Sequence, residues 1–386
     1  MNTILLYDSD SHLRSFDAVV TACMPCGTGW AVALDRTAFC PEGGGQLSDI
    51  GTLNEAKVTD VQRTADGIFH YTDRPFEAGA AVHGELDWDR RFRHLQNHTG
   101  EHIVCGIAHN LFGMENVGFH LGPEDVTMDL DGELTREQLM EIERRANEVV
   151  FANMPVWVTY PAPEELPGLT YRSKLELTEN VRLVHIGDMD VCACCVPHVM
   201  RTGEVGLIKI LEAMRFRGGM RIHLKCGRDA LTDYNVKYRN IQQISALFSA
   251  KQHETAEVAE QFYQQYQQEK YLVAQLKKEL AHAKAQNLPE TDGNLCIFED
   301  GEPDTLREIV NIGMTKCGKV CGVFSGNEND GYKYILGSRT VNLRNEAKNF
   351  NRALNGRGGG RPEMIQGSVK ATRAEIEAWF AGFDAI

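Results

Sequence analysis

The chain has 386 residues, 42% hydrophobic and 24% charged, an ordinary globular composition that at about 150 residues per domain allows two or three cores. The formal net charge of -14, from 40 basic and 54 acidic residues, argues against a generic polyanion binder but leaves room for a locally basic face. No run approaches the roughly 18 apolar residues of a membrane span, the start MNTILLYDSDSHLRS lacks the basic region of a signal peptide, and an odd set of 11 cysteines suits a reducing compartment. The expectation is a cytoplasmic, multidomain protein with no membrane partner.

Between residues 7 and 87, short β-rich runs at 16–21, 29–34, 57–62, 67–71 and 80–86 alternate with turns, the pattern of a small barrel or sandwich. The character changes at DWDRRFR (87–93). Leu95, His98, His102 and Ile103 then recur at helical spacing over 90–111, and Gly113 is the stop. Gly100 weakens that helix by roughly 1 kcal/mol relative to alanine, so it should have a packing or functional reason. Residues 135–151 read as a second amphipathic helix, and strands at 155–160, 181–186 and 205–212 complete an α+β domain ending near Asp233. Residues 228–288 contain neither glycine nor proline and read as one long helix or a helical hairpin. After a break at 288–293, the strands LCIF, KVCGVFS and YKYILGS alternate with helical DTLREIVNIGM and RAEIEAWFAGF, a closing α/β module. The expected division is a β-barrel with a glycine loop over 1–89, a metal-binding α+β domain over 90–233, a helical linker over 234–287 and a last domain over 288–386.

The strongest chemical signal is a pair of spacings. His98-Thr-Gly-Glu-His102 puts two imidazoles on one helical face, and Cys194-Cys-Val-Pro-His198 offers a thiolate and an imidazole at the same interval. Either pair alone is weak; together they form a His3Cys set suited to zinc. His94, Cys105, Cys192 and Cys195 lie close by in sequence and read as packing or support. Cys23 and Cys26 make half a zinc ribbon with no second half, and Cys317 and Cys321 read as buried thiols. In TAFCPEGGGQ, starting at Thr37, the run Gly43–Gly45 would let a ligand approach the backbone, and Gln46 adds a donor and an acceptor. A tight turn or β-bulge is the plainer alternative.

In combination these pieces resemble the stand-alone alanyl-tRNA editing proteins of the AlaX type, related to the editing half of alanyl-tRNA synthetase. They occur in the family's order: TAFCPEGGGQLSDIG, DWDRRFRHLQNHTGEHI, GFHLGPEDVTMDLD at 118–131, and CACCVPHVMRTGEVG. At 354–369, LNGRGGGRPEMIQGSV looks like the signature of the DHH-associated RNA-binding domain of the longer members. The resemblance implies an α+β fold with an elongation-factor-like N-terminal β-barrel, a zinc-containing editing domain, a helical linker and a C-terminal α/β domain for tRNA binding or dimerisation. It also implies one zinc per chain on His98, His102, Cys194 and His198. Two positions depart from the pattern: Val196-Pro197 stands where Gly-Thr is usual, and Cys40 where an aromatic is usual. Nothing matches the class II aminoacylation core, so ATP binding is not expected and charged tRNA should be hydrolysed rather than made.

The expected reaction is hydrolysis of seryl-tRNA mischarged on the alanine tRNA, with glycyl-tRNA as a second substrate. Glu101, between the histidines, is the candidate general base and Gln46 a second catalytic candidate; Thr37, Gly43, Gly44, Gly45 and Thr202 are candidate substrate contacts. Four protein ligands fill a tetrahedral site, so zinc is expected to organise the pocket. Residues 201–239 hold 9 basic and 4 acidic groups and 339–373 hold 8 and 2, against 6 and 16 over 115–190, which favours the two basic stretches for phosphate contacts. The expected partners are alanine tRNA carrying the wrong amino acid and a second copy of the chain bound through the C-terminal region. The rivals are a zinc-dependent deacylase for another aminoacyl-tRNA and a non-catalytic, zinc-stabilised RNA-binding dimer.

Overall fold

The computed structural model describes residues 3–123, 126–174 and 178–383; Glu124 and Asp125 of the 118–131 motif lie outside them. Its contacts divide the chain into two compact units, Met1–Gln243 and Ile244–Ile386. No helix among the described residues is long and apolar enough to cross a membrane.

The first unit opens with β1 (Ile4–Leu5) and the short helix α1 (Leu6–Ser9). Strands β2 (Ser15–Cys26) and β3 (Gly29–Leu34) follow, then β4 (Arg36–Thr37), which pairs with β1 in parallel. β5 (Gly51–Leu53), β6 (Ala56–Thr64), β7 (Gly67–Thr72) and β8 (Ala81–Leu86) complete the set. The order β2-β3-β7-β6-β5-β8 closes on itself, because β8 also pairs with β2, Phe16 opposite Gly84. Period-two patterning drives the closure: Phe16, Ala18 and Val20 of β2 point inward with Val82 and Leu86 of β8, while Ser15, Asp17 and Val19 face water.

Helix α2 (Trp88–Phe112) starts at an N-cap, Asp87, whose side chain accepts the Arg90 N–H, and stops at Gly113 in the left-handed region. Every residue from His94 to Ala108 is buried, so this helix runs through the unit and has no solvent face there. That explains Gly100: a Cβ at this position would lie 2.3 Å from Cys226 Sγ. A buried ion pair ties the helix to the glycine-loop segment. Arg91 Nε donates to Asp49 Oδ2 at 3.0 Å, Asp49 Oδ2 also accepts the Cys40 N–H at 2.6 Å, and neither charged side chain is exposed.

Strands β9 (Asn116–Leu121) and β10 (Val126–Leu130) precede α3 (Arg136–Ala152), which a Thr135–Gln138 capping box begins. β11 (Val156–Thr159), β12 (Leu183–Ile186) and β13 (Asp190–Ala193) form one small sheet, and β14 (Ile208–Phe216) and β15 (Gly219–Cys226) join the other in the order β14-β15-β10-β9. The shared core packs Leu95, Ile103 and Val104 of α2 with Ile142, Ala146 and Val150 of α3 and with Met128, Ile222 and Leu224 of the sheet.

The glycine-free stretch is two helices, α4 (Gly227–Phe248) and α5 (Thr255–Gln286). They are separated where Ser249 takes a left-handed φ of 52° and the Ser245 hydroxyl donates to the Ala250 carbonyl. In the second unit α5 precedes β16 (Leu295–Phe298), α6 (Pro303–Gly313), β17 (Val320–Asn327), β18 (Gly331–Ser338), α7 (Leu343–Ala353), β19 (Gly356–Arg361), β20 (Met364–Val369) and α8 (Arg373–Gly382). Its sheet runs β16-β17-β18-β20-β19, and the glycine-rich β19 is an edge strand paired with β20.

Candidate metal centre

One turn of α2 separates His98 from His102, and the loop after β13 carries Cys194 and His198. One ligand atom of each lies within 4.8 Å of all the others, the one such cluster among the described residues. The Nε2 atoms of His98 and His198 face Cys194 Sγ at 3.6 and 3.4 Å. The opposite ring nitrogens are held from behind: His98 Nδ1 donates to Gln46 Oε1 at 3.1 Å, and His198 Nδ1 donates to Thr99 Oγ1 at 3.1 Å. Such outer partners fix tautomer and ring orientation. His102 Nδ1 is buried with no hydrogen-bond partner, an orphaned atom of the sort a bound ion can satisfy.

Burial holds the His98 imidazole down to about 3 and His102 and His198 well below the usual range, so all three are neutral, metal-ready bases near pH 7. The same burial pushes the Cys194 thiol up to about 12. A cation among the four residues would supply the charge that a thiolate needs there. The residues present can hold a metal ion.

The cluster opens on a cavity of about 640 Å³, within the range of small-ligand sites. Gly44, Gly45, Phe119, Asn116, Arg172, Lys174 and Arg182 line it with Glu101 and three of the cluster residues, His98, His102 and Cys194. Glu101 is buried: Oε1 accepts from the Asn116 amide and from the Cys105 thiol, and Oε2 lies 3.9 Å from His102 Nε2. Desolvation raises its pKa above the usual carboxylate value.

The glycine run is a two-residue hairpin. Gly43 and Gln46 exchange both main-chain hydrogen bonds, at 3.0 and 2.9 Å, across Gly44 and Gly45 with φ of 58° and 78°. A Cβ on Gly45 would sit 2.3 Å from the Phe119 carbonyl oxygen, so the turn lies flat against β9 and shows backbone to the cavity. It is thus both the plain turn and a cavity-lining loop.

The structure places three of the expected side chains away from the cavity. Thr37 is fully buried on the barrel side; its hydroxyl donates to His70 Nε2 at 2.8 Å and accepts the Phe39 N–H at 3.1 Å. Thr202 is also fully buried, donating to the Val149 carbonyl at 2.7 Å and accepting the Met154 N–H at 2.8 Å. Both threonines satisfy buried backbone or ring groups, and neither lines the cavity. Gln46 stands behind His98 and does not line the cavity either. The side chains that sequence reading missed are Arg172, Lys174, Arg182, Asn116 and Phe119. The first three belong to or adjoin the acidic 115–190 window, whose net charge hid them. Thr99 sat unremarked beside His98. The two departures from the resembled pattern meet in space, since Cys40 and Val196 pack with Tyr7 in one small cluster.

Residues 181–223 match the threonyl and alanyl tRNA synthetase second additional domain, and residues 270–381 match the DHHA1 domain. With the relatives below, this makes the chain an alanyl-tRNA synthetase-related protein carrying that editing-type domain. It is 33% identical over 400 residues to the alanine–tRNA ligase of Pyrococcus abyssi, covering 97% of this chain and 43% of that one. It is 32% identical over 400 residues to the alanine–tRNA ligase of Pyrococcus furiosus, covering 98% and 43%. The chain therefore spans less than half the length of these relatives. The solved C-Ala domain of Aquifex aeolicus alanyl-tRNA synthetase aligns at 23% identity over 24% of this chain and 94% of that one, with a TM-score of 0.21.

Proposed function

We propose that the chain hydrolyses alanine tRNA mischarged with serine, and with glycine, and spares the correctly alanylated form. The observation that carries this reading is the His98–His102–Cys194–His198 cluster on the wall of a cavity that also holds the buried carboxylate of Glu101. Kinship with alanine–tRNA ligases supports the tRNA. One zinc per chain suits the three-nitrogen, one-sulfur donor set; with four protein ligands it would hold α2 and the loop after β13 together and order the cavity wall, leaving proton transfer to Glu101.

Glu101 acts as general base. It takes a proton from water as the oxygen bonds to the ester carbonyl, then returns it to the departing ribose oxygen, releasing free amino acid and tRNA. Its raised pKa brings it nearer to what a base working at neutral pH needs. Gln46 orients His98 and supports the site without touching the ester. The Gly44–Gly45 backbone offers the aminoacyl group a close surface, and Lys174 offers a phosphate of the tRNA end positive charge, while Arg172 and Arg182 are paired with Asp190 and Asp8. In this reading residues 1–89 and 90–233 build the site, 234–287 link, and 288–386 contribute tRNA affinity or a homodimer contact, in the cytoplasm.

Physics makes the need plausible: a synthesis pocket shaped for alanine rejects a near-isostere with one added hydroxyl by only about a hundredfold. A hydrolytic pocket inverts the test by offering that hydroxyl a partner. Hydrolysis of seryl-, glycyl- and alanyl-tRNA on one alanine tRNA body is the deciding assay, with fast loss of the first expected. Equal rates on seryl- and alanyl-tRNA would overturn the proofreading reading.

A further inference from the structure

We infer that Asp8, in helix α1, is a positioning residue for the metal-binding loop and acts through Arg182. The inference rests on the reading of the His/Cys cluster as a zinc site. Arg182 grips Cys194 at both of its backbone groups: its main-chain carbonyl accepts the Cys194 N–H at 3.1 Å, and its Nη1 donates to the Cys194 carbonyl at 2.8 Å. The same Nη1 donates to the Val196 carbonyl at 2.9 Å. Its Nε donates to Asp8 Oδ1 at 3.0 Å, and the two side chains are only 8% and 19% exposed. Next to Asp8, Tyr7 is buried against Val196 and Cys40.

The ladder of β13 ends at Ala193, so Cys194 is placed by what holds the loop beyond that strand. Gln46 and Thr99 orient two imidazoles; the Arg182–Asp8 pair does the corresponding work for the sulfur ligand. A guanidinium suits the task because its planar fork reaches a carboxylate and two carbonyls at once, which a lysine ammonium cannot do in the same geometry. Removing the Asp8 charge leaves a nearly buried guanidinium without its counter-ion and frees it to leave the loop. A loop less well pre-placed loses its metal faster.

The test is transfer of zinc from the full-length, zinc-loaded protein to an excess of a chromophoric chelator. Wild type should carry close to one zinc per chain; a wild type that holds none would defeat the zinc reading itself, a failure distinct from that of the inference. Asp8→Asn and Arg182→Lys are each expected to release zinc about 10- to 100-fold faster, and Asp8→Glu to stay near the wild-type rate. Glu143→Gln, on α3, breaks a partly buried pair with Lys209 of β14 and should leave release unchanged. Wild-type release rates in Asp8→Asn and Arg182→Lys would overturn the proposal, as would equal acceleration by Glu143→Gln. The two variants sit on opposite sides of the pair, so a folding defect in one leaves the other to decide.

Discussion

Cys194 is the only sulfur in the ligand cluster, and its replacement by alanine is expected to lower both zinc content and deacylation, read by elemental analysis and by ester hydrolysis. Stoichiometric zinc in a protein lacking all four ligands would end the assignment. Thr37 tests the reassigned threonines. Thr37→Val removes the donor to His70 Nε2 and should cost about 1–3 kcal/mol in denaturant unfolding, while ester hydrolysis by the folded protein stays near wild type; loss of turnover with stability intact would return Thr37 to the substrate. His70 makes a pH prediction. Its burial lowers the imidazole to about 4 from the ordinary value near 6.5, so the unfolded chain binds a proton first as pH falls. The stability is complete above pH 6.5 and is lost progressively from there down to about 4, to an extent of about 3 kcal/mol. His70→Gln should flatten the slope of unfolding free energy over that interval, and an unchanged slope would contradict the assignment.

Helix α2 is the element on which chemistry and packing compete for the same residues. Its stop at Gly113 was legible in the chain, whereas its start at the Asp87 cap, ahead of the expected residue 90, came from the structure. Its burial on all sides was not legible either, because polar His94, Gln96, Asn97 and Thr99 lower the apparent hydrophobicity of a helix that the fold encloses. Gly100 shows the consequence. In an exposed helix Gly→Ala gains about 1 kcal/mol, but here the new methyl meets Cys226. Gly100→Ala should therefore destabilise the protein by about 1–3 kcal/mol, and adding Cys226→Ala should recover part of that loss. Strict additivity of the two changes in thermal or denaturant unfolding would show that the contact is not the cause. The break between α4 and α5 was allowed by the hairpin reading, but its position was unreadable for a different reason: no glycine or proline marks it, and the turn is made by Ser249 in a conformation that non-glycine residues seldom adopt.

At the level of the whole chain, the first compact unit reaches Gln243 and contains every member of the metal cluster and its cavity. A protein ending after Phe248, at the end of α4, is expected to keep its zinc and its turnover at saturating tRNA but to bind tRNA more weakly. The deficit should shrink at high salt, where phosphate contacts are already screened. Complete loss of turnover in a folded, zinc-loaded truncation would contradict the proposed division of labour. Within that unit Arg91 and Asp49 join the glycine-loop segment to α2 in the interior. Asp49→Asn, which strands a buried cation, should cost about 3–5 kcal/mol of unfolding free energy.

The cluster of His98, His102, Cys194 and His198 could be read as a candidate metal site before any fold was known. Helical periodicity brings residues four apart onto one face, and metal chemistry restricts which side chains can serve, so two local patterns were sufficient. The glycine turn, the alternating strands of the barrel and the Gly113 stop of α2 were legible for the same reason, since each is set by neighbours within a few positions. What surrounds the ligands came from contacts distant in sequence. Whether Thr37 and Thr202 face a substrate or a buried partner turned on His70 and Val149, and the role of Gln46 turned on a ring 52 positions away. The cations of the cavity disappeared into an acidic average. Asp8 meets Arg182 across 174 positions. Side-chain hydrogen bonds and ion pairs have no period, so only chain folding shows which polar groups meet.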